Sequence, residues 1–567
     1  MHSSEPMPRV AAVLLLAAIA LPYCLDLGSS SLWDTNEAFY AETPREMIVS
    51  GDYLTPMFNY QPRTQKPPLT YWLVLLSYKV FGVNERAVRI PGALAAVGIL
   101  YFTYRMGLLL FSRWAAVAAA VMTGTTARIF ILARKLPIDI ILIFWLAGTA
   151  YFVLKSLRQD SLRPWLFAGL FAGMGFLTKG PIAWLIPAAA CAGAIAWSRR
   201  ARPPWGRMGL GALTAVAVAA PWYLIMYQRH GERYVTSFFL GDNFGRFMSQ
   251  SFGPERNPLY YAGVFFVDFF PWSVLSLAFF CTIWAARREL AGFRAPEYLF
   301  PLVWSAFTLL FFTFSKNKQE YYIASVYPLL AVLVSGALER IVQHDPIFLR
   351  IRGERFWAGA FLAASLFLLA LAVVLVSAGP TITPQLPPFF TYLPVIMLLL
   401  ASVASVAFTL RRRTAASFAG LAVPIYLLFL LAAAVYLPAT EPLRPVKELS
   451  HTIESRMEPG DEAGYYRVSV PSMVFYLRTP VFEEFDADAM VRMFLGPRRI
   501  FCIMTERDYD FFVGRRDLIL YVLDRRPRMA TQLRAIFNPD RWLGEELLLV
   551  SNRPPDEAGP TPGRDEP

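Results

Sequence analysis

Apolar runs of about 18 to 25 residues recur through roughly the first 440 residues, and each is long enough as a helix to cross a hydrocarbon layer of about 30 Å. With 56% of its 567 residues hydrophobic and only 17% charged, the chain carries more apolar surface than one soluble core absorbs, so lipid must be part of its solvent. Thirteen such runs fall near 10–27, 87–111, 114–133, 136–154, 164–178, 181–197, 208–227, 258–285, 297–314, 321–338, 356–377, 391–410 and 415–436. The expected fold is a polytopic all-α membrane bundle of about thirteen helices.

The formal net charge of +12 is distributed as a topology signal, which argues against nucleic acid as a partner. From a cytoplasmic N-terminus, every second loop is basic: Lys155, Arg158 and Arg163; Arg199, Arg200, Arg202 and Arg207; Arg287, Arg288 and Arg294; Arg350, Arg352 and Arg355; Arg411, Arg412 and Arg413. Those loops are expected in the cytoplasm. The intervening ones, beginning with the long stretch 28–86 and ending with everything after 437, are expected outside it. The setting is then a cell inner (plasma) membrane with membrane lipids around the bundle. Cys24, Cys191, Cys281 and Cys502 are scattered, which indicates neither a disulfide framework nor a metal knuckle.

Beyond Leu437 the long apolar runs stop. Short strand-like runs, Ile500–Met504, Leu518–Leu523 and Leu547–Val550, alternate with polar helical stretches. The expected division is a membrane domain over 1–437, an extracytoplasmic α/β domain over 438–552, and a disordered Pro- and Gly-rich tail over 553–567. No repeat of fixed period is visible, which weighs against a duplicated transporter.

Chemistry is concentrated in the first outer loop. Asp34, Glu37, Glu42, Arg45 and Glu46 lie within a few helical turns, with Phe39, Tyr40 and Met47 offering an apolar side. The pattern predicts an amphipathic helix on the membrane face. On it, Glu42, Arg45 and Glu46 have the spacing of local ion pairs on a solvated surface. Asp34 differs in following the first span directly, where a carboxylate near the hydrocarbon boundary suits a base. Asp139 stands near the outer end of the fourth span, where a lone carboxylate is costly unless it serves a site; the plainer alternative is a helix-start carboxylate favoured by the dipole. Lys66 precedes two prolines that stiffen its loop. Lys179, Lys316 and Lys318 recur in outer turns that the positive-inside rule should deplete, which favours anion binding over simple snorkelling. Arg246 and Arg256, on a later outer loop, are weaker candidates for the same role, and His230 reads as a surface residue.

The loop resembles the GT-C class of lipid-linked-sugar glycosyltransferases, which includes aminoarabinose transferases and relatives of protein O-mannosyltransferases. The resemblance rests on Asp34 to Glu37, Tyr40 to Met47, Gly51 to Tyr53, Pro56 to Asn59 and Lys66 to Trp72. More loosely it includes Leu177 to Pro181 and the pattern from Ser315 to Tyr322. It implies transfer of a hexosyl or pentosyl group from a polyprenyl-phosphate donor to lipid A, another envelope glycan or lipid, or a protein. It also implies catalytic roles for Asp34 or Glu37 and for Asp139, and substrate binding by Lys66, Lys179, Lys318, Tyr322, Arg246 and Arg256. Two departures stand out. Asn36 replaces the acidic residue usual before Glu37, which leaves the base open between Asp34 and Glu37. Gln65 replaces the Glu linked with metal binding, and a neutral amide is a poor zinc ligand, so no metal or other cofactor is expected. A lipid or ion transporter is the rival from another class, but it calls for paired charges at the membrane midplane.

Overall fold

The computed structural model describes residues 9–159, 161–198, 204–248, 256–287, 295–382, 386–515, 518–528 and 546–555. Arg199, Arg200, Arg202, Arg288 and Arg294 of the basic loops, residues 556–567 of the expected tail, and the side chain of Arg246 lie outside them.

A helix stands at every position where an apolar run was expected. By length and composition, seven described helices can cross a membrane, or nine if two bent pairs each count as one span. The count of thirteen is therefore not reproduced by length alone. Arg9–Cys24 and Ile182–Trp197 have only 16 residues and Val326–Val342 has 17. Leu162–Lys179 carries Arg163 and Lys179 within its 18 residues. A further apolar helix, Leu69–Phe81, lies within the stretch 28–86, where an outer loop and no span was expected.

Two expected spans are broken. Arg113–Gly124 and Ala127–Lys135 meet at 60°, and Tyr260–Asp268 and Trp272–Ala285 at 111°. At the first break the Thr125 and Thr126 hydroxyls donate back to the carbonyls of Val121 (2.7 Å) and Met122 (2.8 Å). Pro271 at the second has no amide hydrogen to continue a helix. Irregular backbone survives at membrane depth only where protein buries it, and here the breaks cover each other. Trp272 Nε1 donates to Thr125 Oγ1 (3.0 Å), and Arg128 grips Asp268 through Nε (2.8 Å) and Nη2 (3.0 Å). Tyr327 also donates to Asp268 (3.1 Å). Averaged hydropathy passes straight over such kinks, which is why both runs read as continuous.

Elsewhere small residues set the approach of helices. A Cβ on Gly169 would lie 2.0 Å from the Gly211 carbonyl oxygen, so Leu162–Lys179 and Trp205–Val235 touch backbone to backbone there. Gly169→Ala must push the helices apart, and a loss of about 1 to 3 kcal/mol is expected, read as a lower thermal unfolding midpoint.

The C-terminal part carries a five-stranded sheet in the order Val481–Glu484, Glu462–Tyr466, Ile500–Thr505, Glu546–Ser551, Tyr521–Pro527. The first three strands are mutually parallel and the last two pair antiparallel. Phe501, Ile503, Leu547 and Leu549 face one buried core; Cys502, Met504, Leu548 and Val550 face the other. A sheet covered on both faces needs continuous apolar strands, which is how Ile500–Met504 and Leu547–Val550 reveal themselves in sequence. The third expected strand starts at Tyr521 rather than Leu518.

Candidate active site at the first long loop

The helix predicted for this loop forms as Asn36–Ser50, closed by Gly51 in the left-handed conformation (φ 72°). The expected solvated face is corrected: Glu42, Arg45 and Glu46 are only 0, 7 and 3% exposed. The reason is that helix Ser472–Leu477 of the α/β unit and the hairpin Met57–Phe58/Gln61–Pro62 cover it. Arg45 does pair with Glu42, through Nε (2.8 Å) and Nη2 (2.5 Å). Burial nevertheless pushes Glu42 up to about 8, against the pull of Arg45. Glu46 accepts from the Tyr60 amide (2.9 Å). The hairpin turns at Asn59 and Tyr60, both with positive φ (53° and 60°), as a two-residue hairpin turn requires.

The hairpin ties the loop to the α/β unit. Asn59 donates to the Val481 carbonyl (2.7 Å) and accepts from its amide (2.9 Å), and Tyr60 donates to the Arg478 carbonyl (2.5 Å). The Leu32 amide donates to Tyr476 (2.8 Å), and Lys447 pairs with Glu85 (2.8 Å). Asp34 lies at this junction. One of its oxygens accepts from the Ser472 amide (2.8 Å), the other from the Ser472 hydroxyl (2.7 Å). Burial raises its carboxyl to about 6, while the Ser472 bonds pull the other way. On neighbouring Trp33, the Lys135 ammonium lies 3.3 Å from the ring centroid and the Arg444 guanidinium 3.8 Å.

Glu37, the alternative base, is engaged at both oxygens. Arg89 Nε donates to one oxygen (2.8 Å) and Nη2 to the other (3.0 Å), and the Trp33 amide adds a third bond (2.8 Å). Arg89 also donates to the carbonyls of Leu27 (2.8 Å), Ser30 (2.8 Å) and Ser31 (2.9 Å). A single guanidinium thus shapes the whole entry to the loop.

The lysines gather around a second centre. Lys66 pairs with Asp242, on the π-helical segment Thr236–Gly245. The side chains of adjoining Thr64 and Ser237 meet at 3.0 Å. Lys179, the last residue of its helix, pairs with Asp139 in the first turn of the next helix back, Ile138–Gln159. Its ammonium lies 4.7 Å from the Tyr322 ring centroid and 5.3 Å from that of Tyr321. Tyr40 and Tyr71 lie within electrostatic reach of both pairs: Tyr40 stacks on Tyr71 at 5.7 Å, Arg63 donates to Tyr71 (3.3 Å), and the charge of Asp242 acts on the Tyr71 phenol as that of Asp139 does on Tyr40. Burial drives the Tyr40 phenol well above its ordinary value, with Tyr71, Asp139 and Tyr321 adding to the shift and Arg63 opposing it.

Lys318 and Arg256 stand beside this centre rather than in it. Lys318 is buried and donates to the Ser315 carbonyl (2.6 Å). Arg256 donates to the Lys318 carbonyl (2.9 Å) and pairs with Glu320 (3.2 Å), bracing the turn that carries Tyr321 and Tyr322. Asp242, Arg89, Ser472 and Lys135 escaped sequence reading, and Tyr40 entered it only as part of an apolar side and of the loop motif. Asp242 and Lys135 lay in segments already read as outer-facing, but neither falls in a recognisable spacing. Among the described residues, no group of three or more His, Cys, Asp or Glu is arranged to hold a metal ion.

Residues 65–225 match the family model described as dolichyl-phosphate-mannose-protein mannosyltransferase. The chain is 30% identical over 367 residues to an undecaprenyl phosphate-alpha-4-amino-4-deoxy-L-arabinose arabinosyl transferase of Pseudomonas paraeruginosa, covering 64% of each chain. It therefore spans a little under two thirds of that relative's length. It is also 29% identical over 468 residues to an uncharacterised protein of Aquifex aeolicus, covering 80% of this chain and 84% of that one. Among solved structures, ArnT from Cupriavidus metallidurans bound to undecaprenyl phosphate superposes with a TM-score of 0.75 at 21% identity, over 98% of this chain and 100% of ArnT. An oligosaccharyltransferase of Archaeoglobus fulgidus superposes with a TM-score of 0.54 at 13% identity, over 88% and 70%. The chain resembles aminoarabinose transferases in sequence and has the GT-C-like fold of ArnT, with its appended small sheet domain.

Proposed function

We propose that this chain is a multi-pass membrane glycosyltransferase that moves a sugar from a polyprenyl-phosphate carrier, undecaprenyl phosphate, to an extracytoplasmic acceptor. The observation that carries the reading is the pair of lysine–aspartate contacts, Lys66 with Asp242 and Lys179 with Asp139, linked by Tyr40 and Tyr71 and walled by Tyr322. Each aspartate keeps its lysine aimed until a phosphate oxygen replaces it, and an ammonium has three donors to offer. As the bond from the sugar's anomeric carbon to the carrier phosphate breaks, these cations stabilise the charge that collects on the phosphate. The bond to the acceptor oxygen forms on the opposite side, and the acceptor's hydroxyl proton passes to Asp34. With its carboxyl near 6, Asp34 is ionised at neutral pH and able to take it.

In this reading Glu37 anchors the loop through Arg89, and Lys318 and Arg256 serve the tyrosine turn and its surroundings. Lipid A or another envelope glycan is the proposed acceptor, with exported protein the alternative. The proposal includes an inner-membrane location, a boundary near Leu437, and an α/β unit outside the cytoplasm on the same side as the first loop. The alternating basic loops support that orientation, and the bonds between loop and α/β unit support a shared side for the two.

Binding of undecaprenyl phosphate in nanodiscs tests the reading. Lys66→Ala and Lys179→Ala each remove a charge-assisted contact, so affinity should fall about tenfold to a hundredfold, against no change in the exposed control Arg525→Ala. Wild-type affinity in both lysine variants would remove the phosphate site.

A further inference from the structure

We infer that Ser472 is the positioning residue of Asp34, so that the α/β unit completes the site built on the first outer loop. The inference rests on Asp34 being the proton acceptor. Its geometric basis is two bonds from one residue to two different oxygens: amide to Oδ1 at 2.8 Å, hydroxyl to Oδ2 at 2.7 Å. Together they fix both the plane and the direction of the carboxylate. A carboxylate has about four lone-pair sites, so room remains for an acceptor hydroxyl.

Ser472 is held by its own surroundings. It is fully buried, as are Val470 and Met473, and Pro471 locks the backbone before it. The unit is pinned to the loop independently by Asn59–Val481, Tyr60–Arg478 and Leu32–Tyr476. Ser472 is therefore carried to Asp34 by contacts that do not involve Asp34.

The two donors also act on charge. Burial favours the neutral acid, which has no use as a base, whereas donors to both oxygens favour the carboxylate. The other charged groups facing Asp34 are few: Glu37, neutralised by Arg89, opposes ionisation, and Arg528 favours it. Tyr465 faces Asp34 from the sheet, its phenol raised mainly by burial and also by Glu483 and Asp34. Lys135 and Arg444 stand over the adjoining Trp33. Ser472 is the only one of these groups that hydrogen-bonds the carboxylate among the described residues.

The test is an infrared titration of the full-length protein in nanodiscs, reading the protonated-carboxyl band that disappears in Asp34→Asn. The wild-type midpoint is expected near 6. Ser472→Ala keeps the amide and removes the hydroxyl, which should raise the midpoint by about one pH unit. Ser472→Thr keeps the hydroxyl and should leave it in place. Should the alanine variant fail to fold, Ser472→Cys, close in size but a weak donor, should give the same upward shift. A midpoint unmoved by loss of the hydroxyl overturns the inference and leaves Ser472 as a docking contact. Single-turnover transfer by Asp34→Asn separates the two ideas. If that variant keeps its turnover while Ser472→Ala still shifts the midpoint, the reading of Asp34 as base fails and the coupling stands; lost turnover with no shift sinks only the coupling.

Discussion

Single-turnover sugar transfer by Asp34→Asn is expected to fall about a hundredfold or more, with undecaprenyl phosphate binding nearly unchanged. The substitution keeps the size and planarity of the side chain. One oxygen still accepts from Ser472, and the Ser472 hydroxyl can rotate to accept from the new amide. What disappears is the proposed proton acceptor, so the loss should be confined to the chemical step. Binding should persist because the proposed site of the carrier phosphate is at Lys66 and Lys179. Glu37→Gln is the informative companion. Its carboxylate is already committed to Arg89 and the Trp33 amide, so its loss should show first as instability of the loop and only secondarily in turnover. Normal turnover in Asp34→Asn together with a catalytic defect in a stable Glu37→Gln would move the base by one helical turn.

Arg89→Met is expected to lower unfolding stability by about 3 to 5 kcal/mol, because it leaves a buried carboxylate without its partner. Glu37 is 2% exposed and Arg89 also 2%, so water cannot take over the lost bonds. Three backbone carbonyls, at Leu27, Ser30 and Ser31, lose their donor as well. The double variant Arg89→Met/Glu37→Gln should recover much of the loss, since a neutral amide costs far less to bury than a charge. Unfolding measured in the same detergent for wild type, both singles and the double gives the coupling directly. A single variant within about 1 kcal/mol of wild type would mean that the pair contributes little, as exposed pairs do.

These residues also show what was legible in the sequence. The loop was readable because its chemistry is written in one short segment: Asp34, Glu37 and Lys66 lie within a few dozen residues, and Lys66 stands before two prolines. Asp139 and Lys179 were readable as charged groups at the outer ends of apolar runs and Tyr322 only through the resemblance, and the structure brings the three together. Their partners were not. Arg89 sits near the start of an apolar helix, 52 positions from Glu37, and in sequence it is one basic residue at a span end. Ser472 lies 438 positions from Asp34, and a buried serine has no pattern at all. The solvated face assigned to Glu42, Arg45 and Glu46 was wrong for the same reason: local spacing gives the ion pair but not the α/β unit that covers it. Strands Glu462–Tyr466 and Val481–Glu484 were missed because they are short and mix acids and aromatics without alternation. The kinks at Thr125 and Pro271 were invisible to any window that averages hydropathy, although Arg128 and Asp268 mark them from either side.

The central claim is that the chain consumes a sugar carried on a polyprenyl phosphate, and the pool of that lipid in cell membranes tests it most directly. In membranes lacking this protein, a polyprenyl-phosphate-linked sugar is expected to accumulate while an envelope acceptor loses the same sugar. Wild-type protein should clear the pool, and Asp34→Asn, made in equal amount, should leave it in place. A lipid-linked sugar pool that is the same with and without the protein would contradict the account.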